Sequence, residues 1–306
     1  MRLLLDVKVN SVIEIVMQVD KNTAIVIDCA NVGWAASYVY TFMKHEDSPV
    51  GVIYGLLKSI LDVSEVVYPN HIFFAWDSMK SKRRLMYPGY KAKDEIDMSE
   101  EKLLQKQITT HQLDLLRYDI LPAIGFNNHC AHTGYEADDV MASIALQHPF
   151  DMLLIVSNDG DMLQCITDSV LVYNHKEHAL IDTDAFFDMH GILPSQWARV
   201  KSLSGCVSDK VPGIEGVQEK KAIQYLLGKM PRSGIIYKRI IAALGSAEYK
   251  RDTALVTLPL KQLNFDIQHD TVDIKKLLEV CKEYGLHKLI RPQELNKWRI
   301  IFNNIH

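Results

Sequence analysis

From residue 23 to about 182, short apolar runs alternate with longer stretches in which apolar positions recur every three or four residues. The short runs are TAIVID (23–28), HIFFAW (71–76), DMLLIV (151–156) and VLVY (170–173), with GFNNH (125–129) the weakest. Runs of this length and continuity belong to strands covered on both faces. The pattern therefore predicts an α/β fold with a central, mainly parallel sheet flanked by helices. Beyond residue 183 the short runs stop, and QWARVKSL, AIQYLLG, GIIYKRIIAAL and DIKKLLEVCKEYG keep a helical period. The expected organisation is an α/β core over 1–182 and a helical region over 183–306, packed against each other without a Gly/Ser linker, repeat or low-complexity tract. In the first 22 residues, VIEIVMQV reads as an edge strand or a short helix.

One segment fits neither period. At about 80–107, KSKRRLMYPGYKAKDEIDMSEEKLLQK follows the second strand as a polar insertion, and a long insertion beside a sheet's ligand crevice is expected to be a functional loop or lid. It carries Lys80, Lys82, Arg83, Arg84, Lys91 and Lys93.

Composition narrows the class. With 306 residues, 48% hydrophobic and 24% charged, the chain can bury a sizeable core and is neither disordered nor fibrous. Five scattered cysteines without a CxxC argue for free thiols in a reducing compartment. The N-terminal apolar run is broken by Asp6 and Lys8, and no apolar window is long enough to span a bilayer, so an intracellular protein without a membrane partner is expected. A net charge of −4 does not by itself suggest nucleic acid, but acids and bases are distributed unevenly.

In an open α/β sheet, side chains just past the carboxyl ends of the strands share one crevice. Asp28, Asp77 and Asp159 fall at such ends; Glu136, Asp138 and Asp139 open the helix of GYEADDVMASIA; Asp161 completes NDGD, and Asp209 lies in VSDKVPG. Acids at a helix start also serve as caps, and an Asp-Gly-Asp turn can cap itself. Eight carboxylates around one crevice nevertheless call for divalent cations. Mg2+ or Mn2+ takes hard oxygen ligands, and a pair about 3.5–4 Å apart clamps both oxygens of a phosphoryl displacement. Near 203–222, LSGCVSDKVPGIEGVQEKKA reads as a helix end, a tight turn and a new helix from about Val217. Gly213 and Gly216 let backbone approach a phosphate, and Lys210, Lys220 and Lys221 add charge; an ordinary helical hairpin is the alternative.

This ordered set resembles the flap endonuclease and 5′→3′ exonuclease family, including bacteriophage enzymes and the N-terminal nuclease domain of bacterial DNA polymerase I. That family presents an Asp after each of two strands, an E-x-D-D helix, a D-x-D turn and a helix-three-turn-helix. Its helical arch carries a Tyr-Lys pair preceded by Arg, matched here by Arg83 and Tyr90-Lys91. The resemblance implies an arch at about 80–107 and a helix-three-turn-helix at about 198–228. Asp28, Asp77, Glu136 and Asp138 would hold one ion, and Asp139, Asp159, Asp161 and Asp209 a second. It further implies that Lys91 and Arg83 steady the scissile phosphate and that Tyr90 stacks on the terminal base. Arg84, Lys93 and the 205–221 hairpin would contact DNA backbone, with K+ on the hairpin carbonyls as relatives use. The partner expected is DNA with a 5′ end or flap, or an RNA/DNA hybrid, met by a monomer with no small-molecule cofactor. Three positions depart from the family: Cys206 stands where an Asp is usual, Asp94 where an Arg is, and Gln218 where a Gly is. The rivals are a non-catalytic DNA-structure binder on the same fold and a metal-dependent phosphatase or small RNase, which would leave the basic insertion without purpose.

Overall fold

The computed structural model describes residues 22–92 and 99–305. VIEIVMQV, Lys93 and Asp94 lie outside the described residues. The main sheet has six strands: β1 (Thr23–Asp28), β4 (His71–Ala75), β5 (His129–Cys130), β6 (Met152–Val156), β7 (Val170–Asn174) and β8 (Ala179–Ile181). A separate two-stranded hairpin supplies β2 (Lys44–His45) and β3 (Ser48–Pro49). The order is β5-β4-β1-β6-β7-β8, with every pair parallel except β7–β8.

All six residues of β1 are buried because both sheet faces are covered. Side chains alternate with the two-residue period of a strand. Ile25, Ile27, Leu154 and Val156 enter one core, and Ala24, Val26, Leu153 and Ile155 the other. The helical half covers both faces. Leu277, Val280, Trp298 and Ile301 join the first core, whereas Val200, Leu203, Ala222 and Ile240 join the second.

β1 pairs with β4 on one side and β6 on the other. The chain thus reverses its direction of winding at β1, and a crevice opens beyond the carboxyl ends of β1, β4 and β6. GFNNH contributes less strand than expected, since only His129 and Cys130 pair. β8 was not foreseen: it is a short antiparallel edge strand, and its three half-buried residues leave little alternation to detect.

The insertion begins with a short helix, Lys82–Met86, and resumes at the helix Glu100–Leu115. Its first part packs inward, with Arg83 2% exposed and Tyr90 1% exposed. The second motif is a helix Trp197–Ser204, a loop, and a helix from Glu219 to Leu226. Gly213 has φ +65°, and a Cβ there would lie 2.2 Å from the Gly205 nitrogen. This glycine is therefore required by backbone meeting backbone within the loop.

Candidate active site

Each strand delivers its acid through local geometry. Asp28 ends β1 and caps the helix Cys29–Val39; its Oδ1 accepts from the Asn31 N–H (2.9 Å) and its Oδ2 from the Ser157 hydroxyl (2.9 Å). Asp77, just past β4, accepts from the Ala137 N–H (2.9 Å), which ties it to the start of the helix Ala137–Gln147. Glu136 is that helix's N-cap, and Asp138 lies in its first turn. Asp159 follows β6 and accepts from the Asp161 N–H (2.8 Å) at the head of a 3-10 turn. The capping role and the site role coexist in these acids.

Asp209 arrives from the far side. Cys206 and Val211 pair across a tight turn through two backbone hydrogen bonds of 3.0 and 2.9 Å, which presents Asp209 toward the sheet ends. There the Tyr90 hydroxyl lies 3.1 Å from Glu136 and 3.0 Å from Asp209. Lys91 Nζ donates to Glu136 (2.6 Å) and stands 3.6 Å from Asp209. Lys91 holds φ +47°, with its N–H donating to the Asp209 carbonyl (2.9 Å).

The electrostatics are those of a buried cluster of acids. Burial and the neighbouring Asp77 and Asp159 push Asp28 up to about 7. Burial, then Asp159 and Asp28, raises Asp138 well above the carboxylate range. Asp161 is pushed up to about 6 by burial and Asp159, and burial also raises Asp209. Glu136 differs: burial would raise it, but Lys91 and the Ser81 hydroxyl (2.8 Å) hold it below its usual value. Burial works against the charge on Lys91, yet Glu136 and Asp209 keep it protonated. Lys91 and Lys201 border this cluster, the latter 3.6 Å from Asp161 and 2.8 Å from Glu219.

Three expectations are corrected. Asp139, expected as a ligand of the second ion, is fully buried away from the cluster. It receives two hydrogen bonds from Arg83 (2.5 and 2.8 Å) and one from the Leu260 N–H (2.7 Å), with the Glu136 N–H at 3.3 Å. Arg83, expected at the scissile phosphate, also donates to the Leu255 and Thr257 carbonyls (2.8 and 3.3 Å). A guanidinium buried and paired in this way faces Asp139 and two carbonyls, not the crevice. Tyr90, expected as a base-stacking platform, has its ring in a small core with Val211, Leu255 and Val256.

The other positions lie at the rim. Arg84 is exposed and donates to the Lys91 carbonyl (3.2 Å). Lys210 has φ +54° in the Cys206–Val211 turn, and Lys220 is exposed. Lys221 donates to the Gly216 carbonyl (3.1 Å), one of the hairpin's backbone oxygens. Sequence reasoning missed Lys201 and Ser157. Lys201 had a signal: it stands four residues after Trp197, on the apolar side of its helix, where a charge needs a partner.

Carboxylates gathered at strand ends, with lysines at their margin, form a donor set of hard oxygens suited to divalent ions. The 5′-3′ exonuclease, N-terminal resolvase-like domain matches residues 23–191. The chain belongs to the 5′-3′ exonuclease family, whose members are metal-dependent nucleases. A "5′-3′ exonuclease" of Buchnera aphidicola is 28% identical over 272 residues, covering 84% of this chain and 91% of its own length. The thermostable DNA polymerase I of Thermus thermophilus is 31% identical over 181 residues, 58% of this chain and 20% of the polymerase. The bacteriophage T5 D15 flap endonuclease, solved with DNA and metal ions, superimposes with a TM-score of 0.65 at 19% identity, covering 91% of this chain and 99% of its own.

Proposed function

We propose that the protein is a structure-directed 5′ nuclease that hydrolyses DNA at a 5′ end or flap with two divalent ions, Mg2+ or Mn2+. The observation that carries this is the convergence of seven carboxylates at the ends of β1, β4 and β6, several of them raised above their normal range first by burial and then by their neighbouring acids. Such a donor set, almost wholly hard oxygen, fits these ions. Asp28, Asp77, Glu136 and Asp138 would hold the first, and Asp159, Asp161 and Asp209 the second. Bound there, the ions supply Lewis acidity for water attack and offset charge on the departing oxygen.

The chain's own residues set the geometry. Asn31, Ser157 and Ala137 fix the orientations of Asp28 and Asp77 through hydrogen bonds, so these carboxylates need little rearrangement. Lys91, kept protonated, is carried to the crevice by a left-handed backbone position and would stabilise charge developing on the phosphate. The loop after Ser204, with Lys210, Lys220 and Lys221, would grip duplex backbone, which carries no base information. The grip on backbone reads no bases, and an RNA/DNA hybrid with a 5′ end belongs to the proposed substrates. Action as a monomer within the cell completes the proposal.

The test is a 5′-flap duplex incubated with purified protein in Mg2+ or Mn2+, with and without chelator. Cleavage that chelator stops is expected. Tight binding of the flap without cleavage in either metal would overturn the proposal in favour of a DNA-structure binder.

A further inference from the structure

The proposed second ion would meet one donor that is not oxygen. Cys206 is 7% exposed, and its Sγ lies 3.7 Å from Asp161 Oδ2 and 3.1 Å from the Ser208 hydroxyl. The thiol and the carboxylates of Asp161 and Asp209 offer three ligand atoms all within 4.8 Å of one another. This arrangement is not accidental to a flexible loop, because the paired backbone of Cys206 and Val211 holds the sulfur on the same tight turn that presents Asp209.

Bond lengths make the spacing meaningful. With metal–sulfur and metal–carboxylate bonds of about 2.3 and 2.1 Å at a tetrahedral angle, sulfur and oxygen stand about 3.6 Å apart. Cys206 and Asp161 are already at that separation. Mg2+ gains little from sulfur, whereas thiolates favour softer ions such as Zn2+, with Co2+ and Mn2+ between these in affinity for a mixed nitrogen, oxygen or sulfur site.

We infer that Cys206 is a ligand of the second metal position, and that it biases this position toward thiophilic divalent ions and away from Mg2+. The inference rests on the two-ion reading above. On coordination the S–H bond is lost, its proton passes to solvent, and a sulfur–metal bond takes its place. No redox step is involved.

Co2+ titration of the reduced, full-length protein tests it spectroscopically. A thiolate-to-cobalt charge-transfer band in the near ultraviolet is expected, absent from C206A and C206D and retained when Cys165 or Cys281 is replaced by serine. In parallel cleavage assays C206D should need severalfold less Mg2+ for half-maximal rate than the wild type, with the Co2+ requirement moving the other way. Cobalt that supports cleavage without producing the band would overturn the sulfur ligand while leaving the nuclease reading intact. Failure of cobalt, Mn2+ and Mg2+ alike to support any cleavage would remove both. A band that survives in C206A would assign the sulfur to another cysteine and also overturn the inference. C206D serves as a folding check as well: buried without a metal its carboxylate would destabilise the turn, so a lowered melting temperature that metal does not restore counts against coordination.

Discussion

Lys91 stands between Glu136 and Asp209 with a charge that both carboxylates share. Removing it should matter most where new negative charge appears. Lys91→Ala is expected to slow single-turnover cleavage about 10²-fold or more, the range seen when one transition-state donor is lost, with a much smaller change in Kd. A large loss of affinity at unchanged rate would make Lys91 a tether. Asp161→Asn keeps size but removes a carboxylate from the proposed second ion position, beside Asp159 and Asp209. It should abolish hydrolysis while flap DNA is still bound at least as tightly in a gel-shift titration, since one negative charge near phosphate is gone. Full activity of that variant in Mg2+ would sink the two-ion assignment. Cys206 and Lys201 are the residues at this scale that spacing alone could not interpret, because the meaning of each depends on what stands opposite in the fold.

Between elements, Arg83 and Asp139 act as a bolt. The pair is buried on both sides, with side-chain exposures of 2% and 0%, and joins the short helix Lys82–Met86 to the helix Ala137–Gln147 and to the carbonyls of Leu255 and Thr257. Breaking a buried pair by removing one partner leaves an uncompensated charge and costs about 3–5 kcal/mol. Arg83→Met is therefore expected to lower stability by that order in a urea melt, whereas a DNA-contact role would lower only affinity. The D-x-D turn, the E-x-D-D helix start and the two strand-end acids were legible from order and spacing, since short-range rules of capping and strand termination place them. Which of Asp138 and Asp139 faces the crevice was not legible. Adjacent residues on a helix point about a quarter-turn apart, and the choice is made by Arg83, more than fifty positions away. The insertion misled for a related reason: its polar composition suggested a basic loop or lid reaching toward DNA, and its inward residues, Arg83 and Tyr90, are themselves polar.

For the molecule as a whole, the crevice opposes the stability of the fold that builds it. Asp28 and Asp161 have folded-state values raised from 3.8 to about 7 and about 6, so the folded protein binds protons more tightly than the unfolded chain does. Their contribution is fully present below pH 4 and is lost as pH rises through about 6 to 7. Chelator-treated protein should accordingly lose melting temperature between pH 5 and pH 8, and added Mn2+ should flatten or reverse that slope; a slope of opposite sign in chelator would refute the account. At this scale the alternation of runs gave away the sheet and the covering helices, and the strand order could not be read, because nothing local says that β6 returns to the opposite side of β1 from β4. The Arg83–Asp139 bolt also sets a timetable. Its last fastenings, the carbonyls of Leu255 and Thr257 and the amide of Leu260, are translated long after Asp28, Asp77 and Glu136. A ribosome-bound chain that has not yet reached them carries every crevice acid yet lacks the clasp that holds the Tyr90-Lys91 segment over them. In a chain made from its N-terminus, the crevice acids are therefore in place before the contacts that pin the segment above them.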